Sequence, residues 1–153
     1  FDAVVAGGAA AVSEKVIDQL INLKYRDAGE NENVFDTVTR VWGADRYATS
    51  VQLGKHYKAI NGKIGADFYI ATGENFADAL TGAVLASWKS TGILLVKQDA
   101  IPGCVEKVIN CQDHTDPDDF TPYLTILGGE NAVSLYNAVK MYNLVRYPAW
   151  APR

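Results

Sequence analysis

A chain of 153 residues, 48% hydrophobic and 21% charged, has the size and composition of one globular domain with its own core, which excludes wholesale disorder. The formal net charge of −4 and a pI near 5.1 leave no basic footprint for nucleic acid. No apolar run approaches the ~18 residues of a membrane span, so no membrane insertion is expected.

The opening residues Phe1-Asp2-Ala3-Val4-Val5-Ala6 carry no initiator Met, basic region or apolar leader. They read as a buried strand in a piece cut from a longer protein, with any export signal outside it. Gly7-Gly8 follows, then a helix over about 14–24 with Ser13 as N-cap and Val16, Ile17 and Leu20 in helical period. Residues 25–37 form a polar linker. A second strand is expected over 38–42, closed by Gly43. Asp45 then caps a helix to about Tyr57, with Tyr47, Val51 and Gly54 on one face and His56 on the polar side.

After an Asn61-Gly62 turn, a strand over 66–72 ends in Gly73-Glu74-Asn75. The next helix, about 76–89, has Phe76, Leu80, Ala83, Val84 and Ser87 in period, and its many small residues (Ala77, Ala79, Gly82, Ala83 and Ala86) suit close packing on a sheet. Ile93 to Val96 is a continuous apolar strand, as in a parallel sheet covered on both faces. Pro102 opens a helix carrying Val105, Val108 and Ile109. A polar excursion over 112–122 leads to a strand over 123–127, Gly128-Gly129 and a last helix over about 135–144. Pro148 and Pro152 stop its continuation. Alternating strands and helices at this spacing predict an α/β fold: a doubly wound parallel sheet with helices on both faces, of the Rossmann or flavodoxin open-sheet type.

Gly7-Gly8-Ala9-Ala10-Ala11-Val12-Ser13 matches Gly128-Gly129-Glu130-Asn131-Ala132-Val133-Ser134 at a constant offset of 121 residues. Each copy follows an apolar strand and precedes a helix, which implies a tandem array. Residues 1–24 then correspond to the closing strand–helix unit of a preceding repeat, 38–147 to a complete repeat, and 148–153 to a tail. Residues 1–24 either pack into the same domain or belong to a neighbour.

Loops at the carboxyl ends of parallel strands form the usual crevice of such sheets, with helix N-termini that favour anions. Thr72, Gly73, Asn75 and Asp78 at one junction, and Gly128 and Gly129 at another, are the candidate ligand contacts; turn relief and helix capping are the competing use of the same residues. Ser13 and Ser134 read as helix caps, since neither sits in a Gly-x-Ser-x-Gly elbow. Asp113, His114, Asp116, Asp118 and Asp119 make an acidic loop without the glycine and closing Glu of a calcium loop, so no metal is expected. No nucleotide fingerprint is present and no cofactor is expected. Cys104 and Cys111 would stand about 10 Å apart along one helix, beyond the roughly 7 Å a disulfide allows, unless the helix ends before Cys111.

Taken together, Arg40-Val41-Trp42-Gly43-Ala44-Asp45-Arg46-Tyr47-Ala48-Thr49, 71–80 (Ala-Thr-Gly-Glu-Asn-Phe-Ala-Asp-Ala-Leu), Ile93-Leu94-Leu95, Ile101-Pro102 and 126–134 (Ile-Leu-Gly-Gly-Glu-Asn-Ala-Val-Ser) resemble the cell-wall-binding repeat family 2 of Gram-positive surface-layer and wall proteins, in that family's order. Ala77 stands where the family often has Pro, Val96 where it often has a hydroxyl residue, and the 112–122 excursion is longer. The resemblance implies a non-catalytic α/β module, usually in three tandem copies, that retains a secreted protein on the cell wall through an anionic secondary polymer. It also implies a pseudo-threefold assembly with sister repeats. An acidic module needs local donors for such a polymer, and Arg40 and Arg46 are the expected ones; an internal tie of Arg46 to Asp78 is the competing use. The alternative function is a small-ligand or nucleotide-binding α/β enzyme domain using the crevice near Gly73 and Gly129.

Overall fold

The computed structural model describes residues 1–25, 32–61, 68–89, 91–110 and 124–146. Cys111, the acidic loop with His114, the tail prolines and much of the linker lie outside these residues. The described residues alternate strand and helix: β1 (Asp2–Ala6), α1 (Glu14–Ile21), β2 (Thr37–Val41), α2 (Arg46–Asn61), β3 (Phe68–Thr72), α3 (Ala77–Trp88), β4 (Ile93–Val96), α4 (Gly103–Asn110), β5 (Leu124–Ile126) and α5 (Leu135–Arg146).

Among the described residues these strands pair in parallel, and they form two sheets rather than one. β1 pairs with β2, with Ala3 opposite Val38 and Ala6 opposite Val41. The second sheet has the order β4-β3-β5. The chain steps from β3 to β4 on one side and then returns past β3 to β5. Right-handed crossovers therefore place α3 and α4 on opposite faces of this sheet. α2 packs against β2, β4 and α4, so it spans both sheets. It also closes the outer edge of β4: Ser50 Oγ accepts the Leu95 N–H at 3.1 Å while donating to the Tyr47 carbonyl. Covering an edge with a helix removes a row of unpaired backbone groups.

The main core lies on one face. Phe68 and Ile70 of β3 and Leu94 and Val96 of β4 meet Val51 of α2, Val105 and Ile109 of α4, and Met141 and Val145 of α5. Period-2 alternation turns Tyr69 and Ala71 to the other face, and both are buried too. A strand wrapped on both faces is why β3 reads as continuously apolar. Asn137 is a polar residue at zero exposure inside this core. Its amide donates to the carbonyls of Lys97 and Gln98, pinning the β4–α4 loop to α5.

α3 turns small residues to the sheet, as its composition suggests. The large apolar residues Phe76, Leu80, Val84 and Trp88, spaced four apart, are 66–81% exposed, and the buried positions are Gly82 and Ala86. The helix sits so close to the sheet that a Cβ on Gly82 would collide with the Leu127 side chain. Small residues make the contact, and the large apolar stripe is left facing outward. His56 is half-buried rather than on a polar face, because α2 is enclosed by elements on more than one side. Ser134 caps α5, its Oγ accepting the Asn137 N–H at 3.3 Å, whereas Ser13 makes no side-chain cap bond.

Candidate functional site

β3 and β5 lie side by side and end in glycine turns. At the end of β3, Thr72 is buried and its Oγ1 accepts the Glu74 N–H at 3.1 Å. Asn75 Oδ1 accepts the Ala77 N–H at 3.1 Å and starts α3. Glu74 Oε2 accepts the Gln98 N–H at 3.3 Å, tying this turn to the one after β4. At the end of β5, Gly128 has φ of 99°, a conformation that L side chains rarely adopt. A Cβ there would strike the Asp78 carboxylate and approach the Ala132 Cβ to 2.8 Å, so Asp78 lies directly over the glycine turn.

Between the two turns opens a mostly polar crevice of about 520 Å³, lined by Thr72, Glu74, Asn75 and Asp78 on one side and by 129–132 on the other. The structure thus brings Thr72, Asn75, Asp78 and Gly129 into one crevice, with Gly73 and Gly128 in its supporting turns. Glu74, Glu130 and Asn131 also line it. They were missed as site residues although they stand in the same loop motifs, because loop position alone does not say which side chains face inward.

The two arginines are placed differently. Arg46, at the start of α2, donates to the Gly73 carbonyl. Among the described residues it forms no ion pair, with Asp78 or any other acid, and it remains exposed. Gly73 must be glycine here, since a Cβ would meet the Tyr47 ring at 2.6 Å and Arg46 Cδ at 3.2 Å. Arg40 is only 15% exposed: it donates to the carbonyls of Gly7 and Val12, both at 2.8 Å, and faces Glu14 at 3.3 Å. Its guanidinium is committed to holding the β1–α1 turn, which leaves Arg46 as the arginine with donors to spare near the crevice.

A second hollow of about 620 Å³ lies between the 7–11 turn, 42–46, α2 and Leu95. Its lining is largely apolar, and Trp42, 58% exposed, packs over Gly8 at its mouth. His56 Nε2 is buried without a hydrogen-bond partner. Cys104 is a half-buried free thiol. Among the described residues no three His, Cys, Asp or Glu side chains converge as metal ligands would. No helix among the described residues is long and apolar enough to cross a membrane.

Parallel sheets flanked by helices, with a loop-built crevice at the strand ends, define an open-sheet α/β module. The chain belongs to the Cell wall binding domain 2 (CWB2) family, whose model matches residues 40–137. It is 31% identical over 106 residues to the amidase enhancer of Bacillus subtilis (strain 168), a match covering 69% of this chain and 13% of that protein. Among solved structures, Cwp8 and Cwp6 from Clostridium difficile share the fold, with TM-scores of 0.65 and 0.68. Each is 23% identical and is matched over 94% of this chain and 20% of its own length. The chain therefore spans a small part of the proteins it resembles.

Proposed function

We propose that this chain is a non-catalytic anchoring module that holds a secreted surface protein on the Gram-positive cell wall by binding an anionic secondary wall polymer. The observation that carries the reading is the polar crevice between β3 and β5, built from the loop motifs that carry the family resemblance. Its groups suit a glycan. Carboxylates of Glu74, Asp78 and Glu130 in the crevice accept hydrogen bonds from sugar hydroxyls, and Arg46, which lines the neighbouring hollow and is held beside Gly73, meets the polymer's anionic groups. Thr72, Glu74 and Asn75 are engaged with turn amides, a scaffold role that supports binding rather than acid–base chemistry.

Sister repeats are the second partner. The stripe Phe76, Leu80, Val84, Trp88 on α3 is a contiguous apolar face at helical spacing, of the kind that is covered in an assembly. It supports packing between copies in a pseudo-threefold unit, with the whole at the wall surface.

The test compares the chain with Arg46→Ala for binding to purified wall polymer, with thermal unfolding measured in parallel. Loss of one solvent-accessible charge-assisted contact, about 1 kcal/mol, weakens binding roughly 3- to 10-fold, while the folded state persists with a loss of only about 1 kcal/mol from the Arg46–Gly73 hydrogen bond. Unaltered binding, or a thermal shift with nucleotides and none with polymer, would contradict the proposal.

A further inference from the structure

The duplicated unit is duplicated in three dimensions. Gly7 and Gly128 are the two positive-φ glycines among the described residues, at 119° and 99°. In both turns the same amides fold back on the same carbonyl: Ala11 and Val12 on Gly8, Ala132 and Val133 on Gly129. α1 and α5 begin at Glu14 and Leu135, again 121 residues apart. Yet the two strands use different partners. β1 lies on β2, while β5 lies on β3 and is the outer strand of its sheet.

Backbone parity shows that they also use opposite edges. The Gly7 N–H donates to Val41 of β2 at 2.9 Å, whereas the Leu127 N–H donates to Ile70 of β3 at 2.8 Å. Successive amides of a strand point to opposite sides. Shifted by 121, Gly7 is Gly128 and Leu127 is Ala6. The amides that β1 turns toward β2, those of Ala3, Val5 and Gly7, thus correspond to Leu124, Ile126 and Gly128, which face the open edge of β5.

The duplicated helix agrees. Met141 is fully buried where α5 packs on α4, and its equivalent Leu20 is only half-buried; Asn137 is fully buried, and its equivalent Val16 is 38% exposed. Each copy therefore shows one half of a complete environment. The opposite edge of the sheet, at β4, is closed by α2, so β5 carries the sheet's one uncovered edge among the described residues.

We propose that the open edge of β5 receives the β2 strand of the following repeat, so that the structural unit of the array is offset from the sequence repeat. This rests on the reading of the chain as part of a tandem array. The completed sheet has the order β4-β3-β5-β2 of the next repeat. Numbered along the chain from β3, that is 2-1-3-4, the start of the flavodoxin-type order, and the polar crevice falls at its switch point between β3 and β5. The register transfers from β1–β2: Thr125 takes the place of Val4 opposite the next Thr39, and Ile126 that of Val5 opposite the next Arg40. The incoming Arg40 locks the joint by donating to the carbonyls of Gly128 and Val133, which no donor reaches among the described residues. Leu135 stands where Glu14 does, so this joint keeps the carbonyl contacts without the carboxylate. The next Trp42 and Arg46 arrive beside Gly129, and a crevice lined by acids in this repeat gains an aromatic and a second cation from the neighbour.

The test is amide hydrogen exchange by NMR on the chain and on an extended chain in which a second copy of residues 26–61 follows Arg146, which preserves the native spacing. The Leu124, Ile126 and Gly128 amides slow at least about 100-fold in the extended chain, while Thr125 and Leu127 are protected in both. Arg40→Ala in the added copy reverses most of the gain. Unchanged exchange at the three amides, including from an added segment that stays unfolded, overturns the joint. Polymer binding measured on the same two proteins keeps the readings apart: protection without polymer binding sinks anchoring alone, and polymer binding without protection sinks the joint alone.

Discussion

Replacing Gly128 with alanine tests whether the crevice is built as described. Two costs act together. At φ of 99° an alanine is strained, and its Cβ would lie 2.8 Å from the Ala132 Cβ and 3.0 Å from Asp78 Cγ, with the carboxylate oxygen closer still. Strain of roughly 1–2 kcal/mol plus overpacking of about 1–3 kcal/mol gives a loss of about 2–5 kcal/mol. For a domain of this size that lowers Tm by roughly 4–20 °C. The adjacent Gly129 is the control, since nothing lies within 4 Å of its added Cβ and its φ is not in the positive region. Gly129→Ala stays within about 0.5 kcal/mol. Gly7→Ala falls between them, being strained at φ of 119° with its nearest contact at 3.3 Å. Urea unfolding followed by circular dichroism gives the three values. Equal stability of the Gly128 and Gly129 variants would refute the placement of Asp78 over the turn.

Three other outcomes follow from the packing. Asn137→Ala removes the amide that holds the Lys97 and Gln98 carbonyls inside the core and costs about 2–3 kcal/mol by chemical denaturation. Arg40→Ala frees the Gly7 and Val12 carbonyls, so amide exchange in β1 and α1 rises well above that in β3 and β4. Val84→Glu, at 77% exposure, changes monomer stability by less than about 0.5 kcal/mol, and sedimentation shows weaker self-association than for the unaltered chain.

The order of elements was legible because most strands are short apolar or β-branched runs and helices begin at caps or glycine turns; Asp45 does cap α2, its Oδ1 accepting the Ala48 N–H. The crevice was legible in part, since Thr72, Asn75, Asp78 and Gly129 stand at strand ends where a parallel sheet opens. Three features were not. Strand partnership is a long-range matter, so nothing local to Asp2–Ala6 tells that it pairs with β2 in a separate sheet. Arg40 ends on carbonyls roughly thirty residues away, and carbonyls carry no residue signature. On α3 the small residues point to close packing on the sheet, and two of them, Gly82 and Ala86, are the buried positions; the apolar period marks a helix and an apolar face but not which neighbour covers that face. Asn137 had a visible signal that went unused: a polar residue at an inward position between Val133 and Met141.

The measurement that bears most directly on the anchoring claim is calorimetric titration of the chain with purified anionic secondary wall polymer. The same polymer stripped of its anionic groups serves as the comparison. A chain with net charge −4 gains nothing from long-range steering, so the account requires binding through local contacts. It predicts saturable binding to the intact polymer that weakens with added salt and with loss of the anionic groups. Binding that is absent, or that is indifferent to both, would contradict it.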